Sequence, residues 1–151
     1  MKNPDNLKPA QADQTVILIA EDEVMVANVA RIVLERNGYF ILTANDGEDA
    51  LFISRQYPGP IHLLLSDVKM PKLNGLELRK QILDERPETK VLLMTGDTEF
   101  IGALPVLRKR FLPNELTAKI QQMIERPSYF RHSNTSSREE SAIERAGSNG
   151  E

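Results

Sequence analysis

The stretch LLLSDVKMPKLNG, Leu63 to Gly75, carries three leucines into an aspartate and then at once into a proline-containing loop. A buried strand has to end on a turn former, and aspartate is a good one. Taken alone, Asp67 therefore carries no chemistry. Recurrence gives it weight. VILIA (Val16 to Ala20), YFILTA (Tyr39 to Ala44), IHLLL (Ile61 to Leu65), VLLM (Val91 to Met94) and PVL (Pro105 to Leu107) are short apolar runs of the same kind. Most are near-continuous instead of alternating. That pattern predicts strands buried on both faces, as in a parallel sheet covered by helices.

Helical patterns fill the spaces between the runs. In EVMVANVARIVLERNG, Val26, Val29 and Val33 fall on one face, and Gly38 suits the position just past a helix C-terminus. GEDALFISRQYP is a second helix, closed by Pro58. GLELRKQILDERP is a third, ended before Pro87. PNELTAKIQQMIERP opens with Pro113 in its first turn and spaces Leu116, Ile120, Met123 and Ile124 helically. The order β-α-β-α-β-α-β-x-β-α predicts an α/β domain with right-handed crossovers. The x is short. Only 13 residues separate Thr95 from Lys109, which leaves room for about two turns of helix or for a loop, not for a full-length helix.

The chain has 151 residues, enough for one ordinary domain. Its 40% hydrophobic and 27% charged residues suit a soluble globular protein. The absence of cysteine excludes disulfides, thiolate metal sites and cysteine nucleophiles. A formal net charge of −3 supplies no bulk attraction for nucleic acid or an anionic membrane, so neither is expected as a partner. No apolar run approaches the roughly 20 residues of a membrane span. The opening MKNPDNLKPAQADQ lacks the apolar segment of a secretory signal, so residues 1–14 are read as a flexible leader and the location as cytoplasmic. Beyond Pro127 the sequence turns serine-rich and mixed in charge. It cannot bury enough apolar surface to offset its ordering entropy, and residues 128–151 are read as a disordered polar tail.

In open parallel sheets, ligands bind beyond the carboxyl ends of the strands. The first strand ends in Glu21-Asp22-Glu23, the third in Asp67, the fourth in Thr95-Gly96-Asp97 and the fifth in Arg108-Lys109. Each has a dull explanation by itself: acids cap helix N-termini, threonine is an ordinary strand residue and lysine an ordinary surface charge. Capping does not require this combination at four strand ends. Convergent carboxylates repel one another unless a cation intervenes, and a hard divalent cation such as Mg²⁺ suits oxygen ligands. Such a cation also neutralises a phosphoryl group in transit. Asp67 would attack phosphorus and carry an acyl phosphate, while Lys109 and Thr95 would bond the phosphoryl oxygens.

With these residues in place, the chain resembles a response-regulator receiver domain, the phospho-accepting module of two-component signalling. The matching pieces are ILIAEDE, LLLSDVKMPKLNG, LLMTG and VLRKRF, in order, across Thr15 to Arg126. The resemblance implies a flavodoxin-like (CheY-like) three-layer α/β sandwich over residues 15–127, with a five-stranded parallel sheet in the order 2-1-3-4-5. It implies Asp67 as phospho-acceptor, with Thr95 and Lys109 on the phosphoryl group. Glu21, Asp22, Asp67 and the backbone carbonyl of Lys69 would hold Mg²⁺, with Mn²⁺ as a substitute. A histidine kinase or a histidine phosphotransfer protein would be the donor, and the state would be a monomer or a phosphorylation-dependent dimer. By the same register Lys69 and Asp97 flank the phosphate and would modulate its hydrolysis.

The sequence departs from that family in three places. Lys109-Arg110 replaces the usual Lys-Pro, so a trans bond is expected there. Val106 stands where the aromatic switch residue partnering Thr95 would be. The fourth helix of the family is short or replaced by a loop, so that phosphorylation would be read through Gly96 to Leu104.

Because residues 128–151 cannot form an output domain, the expected output is contact with an unknown downstream protein. No enzyme activity is expected beyond self-phosphorylation and autodephosphorylation. A phosphatase with a nucleophilic aspartate would want a second aspartate where Lys69 stands. A degenerate receiver, binding partners without phosphorylation, is the alternative. An FMN binder would want a Ser/Thr/Gly-rich phosphate loop after the first strand, and none is there.

Overall fold

The computed structural model describes residues 10, 11, 13–96 and 102–125. The five strands among the described residues are β1 (Val16–Ala20), β2 (Phe40–Ala44), β3 (Leu63–Asp67), β4 (Lys90–Thr95) and β5 (Val106–Arg108). They pair in parallel in the order β2-β1-β3-β4-β5. The helices among the described residues are α1 (Val24–Arg36), α2 (Gly47–Gln56), α3 (Gly75–Glu85) and α4 (Pro113–Glu125). One unit of the chain ends at Ile120. A second begins at Gln121, and only its first residues, the end of α4, are described.

The continuous apolar runs are explained by double-sided burial. Every residue of β1 and of β3 is buried. Side chains alternate across a strand, so Leu18, Leu42, Leu64 and Leu93 join Ala50, Ile53, Leu78 and Ile82 of α2 and α3 in one cluster. Ile17, Ile19, Leu63, Leu65 and Leu92 are equally buried and lie outside that cluster, as do Ala30 and Leu34 of α1 and Leu116 and Ile120 of α4. They fill the opposite face, giving helix, sheet and helix in three layers.

The face of α1 that carries the three valines is not its most buried one. Val29 is 46% exposed and Val26 and Val33 are half-buried, whereas Ala30 and Leu34 are buried. An i, i+4 pair faces the sheet, and the three valines run beside it.

Local signals set the helix starts. Asp46 caps α2 by accepting from the Asp49 N–H. Asn74 caps α3 in a reciprocal box with Glu77. At the far end of α3, Arg86 reaches back to α2. Its guanidinium donates to Ser54 Oγ (3.0 Å) and to the carbonyls of Ser54 (2.7 Å), Tyr57 (3.0 Å) and Gly59 (2.8 Å). These bonds satisfy carbonyls that a helix end leaves without partners. Nearby, the Ala10 N–H donates to Tyr57 Oη at 2.9 Å, so residue 10 of the expected leader touches the domain.

Between β4 and β5, Gly96 and residues 102–105 are not helical, and Gly102 has φ 71°. The rest of the segment expected to be a short helix or a loop, residues 97–101, lies outside the described residues. So do the polar tail expected over 128–151 and most of the expected leader.

Candidate functional site

The strand order sets the site. β1 and β3 are neighbours at the centre of the sheet, and β4 and β5 follow on one side, so their carboxyl ends share one rim. Asp67 is the last residue of β3 and is buried. The loop behind it is tied by backbone bonds: Val68 N–H to Met94 O (3.0 Å) and Gly75 N–H to Val68 O (2.8 Å). Gly75 has to be glycine for lack of room, since a Cβ there would run into the Asp67 carbonyl.

Lys109 follows β5 directly, and its N–H donates to the Thr95 carbonyl at 2.7 Å. Its ammonium donates to Asp67 Oδ2 (2.9 Å), Glu21 Oε2 (3.2 Å) and Glu23 Oε1 (2.7 Å). The Lys69 N–H donates to Asp67 Oδ1 at 3.4 Å, a long bond. Glu21 is 1% exposed and its Oε2 accepts from the Glu23 N–H at 2.9 Å. Glu21 Oε1 lies 3.1 Å from the Lys109 ammonium, yet it has no hydrogen bond of proper direction.

Burial pushes the Glu21 carboxyl up to about 7, helped by the nearby Asp67 charge and opposed by the Glu23 N–H and Lys109. Burial acts to lower the Lys109 pKa, but Glu23, Asp67 and Glu21 outweigh it and hold the ammonium above its ordinary range. The bond to Lys109 holds Glu23 below the usual carboxylate range.

Asp22 is exposed, and one oxygen from each of Glu21, Asp22 and Asp67 lies within 4.8 Å of the others. Hard oxygen donors at this spacing, with one buried oxygen lacking a hydrogen bond, fit a divalent cation such as Mg²⁺. A cavity of about 950 Å³ opens over the cluster. Asp22, Glu23, Asp67, Lys69, Lys109 and Arg110 line its polar part, and Met25, Val26, Val29 and Phe111 its apolar part.

The response regulator receiver domain family matches residues 17–121. The chain belongs to that receiver family. The alkaline phosphatase synthesis transcriptional regulatory protein PhoP of Bacillus subtilis is 33% identical over 118 residues, 73% of this chain and 48% of that protein. The aerobic respiration control protein ArcA of Escherichia coli K12 gives the same identity and coverage. The chain thus spans about half the length of the curated relatives it matches. Among solved structures, the receiver domain of the hybrid histidine kinase CckA is 34% identical with a TM-score of 0.66, covering 73% of this chain and 99% of that one. A receiver domain protein from Clostridium thermocellum is 27% identical with a TM-score of 0.69, covering 77% and 98%.

As a receiver, the chain brings Glu21, Asp22, Asp67 and Lys109 together. Thr95 ends β4, buried, in register with Arg108. Lys69 is exposed at the cavity wall. Val106 is half-buried, paired with Leu93 and packed on the core. Asp97 lies outside the described residues. No peptide bond among the described residues is cis, and Arg110 takes φ 63°, a left-handed conformation closed to proline. Sequence reasoning gave Glu23 no role of its own, although it makes the shortest bond to Lys109. Its position two residues after Glu21 was the available signal.

Proposed function

We propose that this receiver accepts a phosphoryl group on Asp67 from a phosphohistidine, borne by a histidine kinase or a histidine phosphotransfer protein. The supporting observation is the placement of Lys109 Nζ 2.9 Å from Asp67 Oδ2 beside two further carboxylates. In the step, an Asp67 carboxylate oxygen forms the bond to phosphorus. The P–N bond breaks, and its electron pair stays on the imidazole nitrogen. Lys109 offsets charge on the incoming oxygens, and the Thr95 hydroxyl bonds another.

Glu21, Asp22 and Asp67 would hold Mg²⁺, or Mn²⁺ in its place, with the Lys69 carbonyl as a further ligand by family register. Such a cation supplies charge neutralisation at the phosphoryl oxygens. The buried wall of β3 and β4 keeps bulk water from one side of Asp67, while Lys69 and Asp97 tune how readily water reaches the acyl phosphate. With Val106 on the core in place of an aromatic ring, the phosphorylated state is read through the segment after Thr95 by protein–protein contact, in the cytoplasm, as a monomer or a phosphorylation-dependent dimer. The chemistry stays on the chain itself, since Lys69 stands where a phosphatase would keep its acid/base aspartate.

The test is intact-mass spectrometry after acetyl phosphate and Mg²⁺, on the native chain and on Asp67→Asn. One added phosphoryl group, lost in the variant, is the expected result. No addition to either, with failure of a cognate kinase as well, leaves a phosphorylation-independent interaction module. Lifetimes of the phosphorylated Lys69→Ala and Asp97→Ala chains that equal the native lifetime would remove the tuning role.

A further inference from the structure

Building on the phosphoryl-acceptor reading above, we propose that Glu23 is a positioning residue that holds the Lys109 ammonium in the unphosphorylated protein and thereby slows phosphoryl acceptance at Asp67. An ammonium group has three N–H donors and no acceptor. Here each donor meets one carboxylate: Glu23 at 2.7 Å, Asp67 at 2.9 Å and Glu21 at 3.2 Å. A phosphoryl oxygen can only accept, so Lys109 has to leave one partner before it can engage the incoming group.

The three partners are not equivalent. Asp67 is the attacking group and gives up its negative charge when it becomes an acyl phosphate. Glu21 is almost wholly buried and belongs to the cluster with Asp22 and Asp67, so it has no water to turn to. The Glu23 side chain is 62% exposed and stands outside that cluster. It makes the shortest of the three bonds and can swing into solvent, where its charge is readily hydrated. Its carboxylate also lines the cavity through which a dianionic donor arrives and repels that donor until it moves. Glu23 therefore acts in two ways: it occupies the cation the phosphoryl group needs, and it adds like charge at the entrance.

The experiment follows acetyl phosphate reacting with the full chain and Mg²⁺. An Asp67 oxygen bonds to phosphorus as the P–O bond to acetate breaks, and acetate leaves with the electron pair. Glu23→Gln is expected to raise the acceptance rate about threefold at low salt, the scale of an exposed charge interaction. The gain should shrink towards unity at about 0.5 M salt, where such charges are screened. In the unphosphorylated chain, NMR should show the Lys109 Nζ protons exchanging with water faster in Glu23→Gln than in the native protein. Matched thermal midpoints verify that the variant is folded. A native chain that takes no phosphoryl group overturns both readings. A native chain that does, with an unchanged or slower Glu23→Gln rate or unchanged Nζ exchange, overturns the Glu23 proposal alone.

Discussion

On the β3–α3 side of the crevice, Asp67 is held by backbone. Its strand is buried end to end, Gly75 packs against its carbonyl, and Asn74 and Glu77 lock the start of the next helix. On the β4–β5 side, Lys109 follows a strand of three residues and leads into Arg110 at φ 63°. What aims it is charge, through three carboxylates. The aspartate is thus placed by steric necessity, and the lysine by interactions that pH and salt can change. The first is insensitive to solution conditions and intolerant of added atoms; the second is the reverse.

The severest challenge to the first wall is Gly75→Ala. Its Cβ has to displace the Asp67 carbonyl or the Val68 backbone, and we expect a loss of about 3 kcal/mol or more in urea unfolding, independent of pH. Lys109→Met probes the second wall. It leaves Glu21 buried beside Asp67 without its cation, with an expected loss of about 2 kcal/mol at about pH 8, reduced from the fully buried case because solvent reaches the site.

That loss should depend on pH. Glu21 titrates at about 7 in the folded chain against 4.5 ordinarily. A raised carboxyl contributes stability that is full below the ordinary value and is lost as pH rises through the folded one. Removing Lys109 raises Glu21 further, so the variant's deficit should shrink towards about pH 5.5. Equal deficits at both pH values would show that charge does not aim Lys109.

Asn74→Ala removes one half of the capping box and should cost about 1 kcal/mol, again without pH dependence. The mildest case is Arg110→Gly. Glycine takes the left-handed conformation freely, so thermal unfolding should show a gain of about 0.5 kcal/mol, the relief of strain partly cancelled by glycine's chain entropy. A loss there would mean that the Arg110 side chain contributes more than its backbone costs.

The same contrast explains what could be read from the chain. Leu63 to Asp67 is legible because burial on both faces leaves an unbroken apolar run, and because strand ends in a parallel sheet meet at one rim. Glu21, Asp22, Asp67 and Lys109 could be gathered on that basis. The left-handed Arg110 has no periodic signature. Nor does the partnership of Glu23 with Lys109, since a side chain's reach across 86 residues depends on the final fold.

The Arg86 clamp sits at the other end of the sheet from this chemistry. It stitches the end of α2 to the end of α3 through four bonds, three of them to backbone oxygens. It gives the domain a fixed heel, so that any rearrangement at the toe, around Lys109 and its carboxylates, need not propagate into the foundations. Substitutions at Arg86 should accordingly be felt in how long the domain survives heating, and much less in how it handles a phosphoryl group.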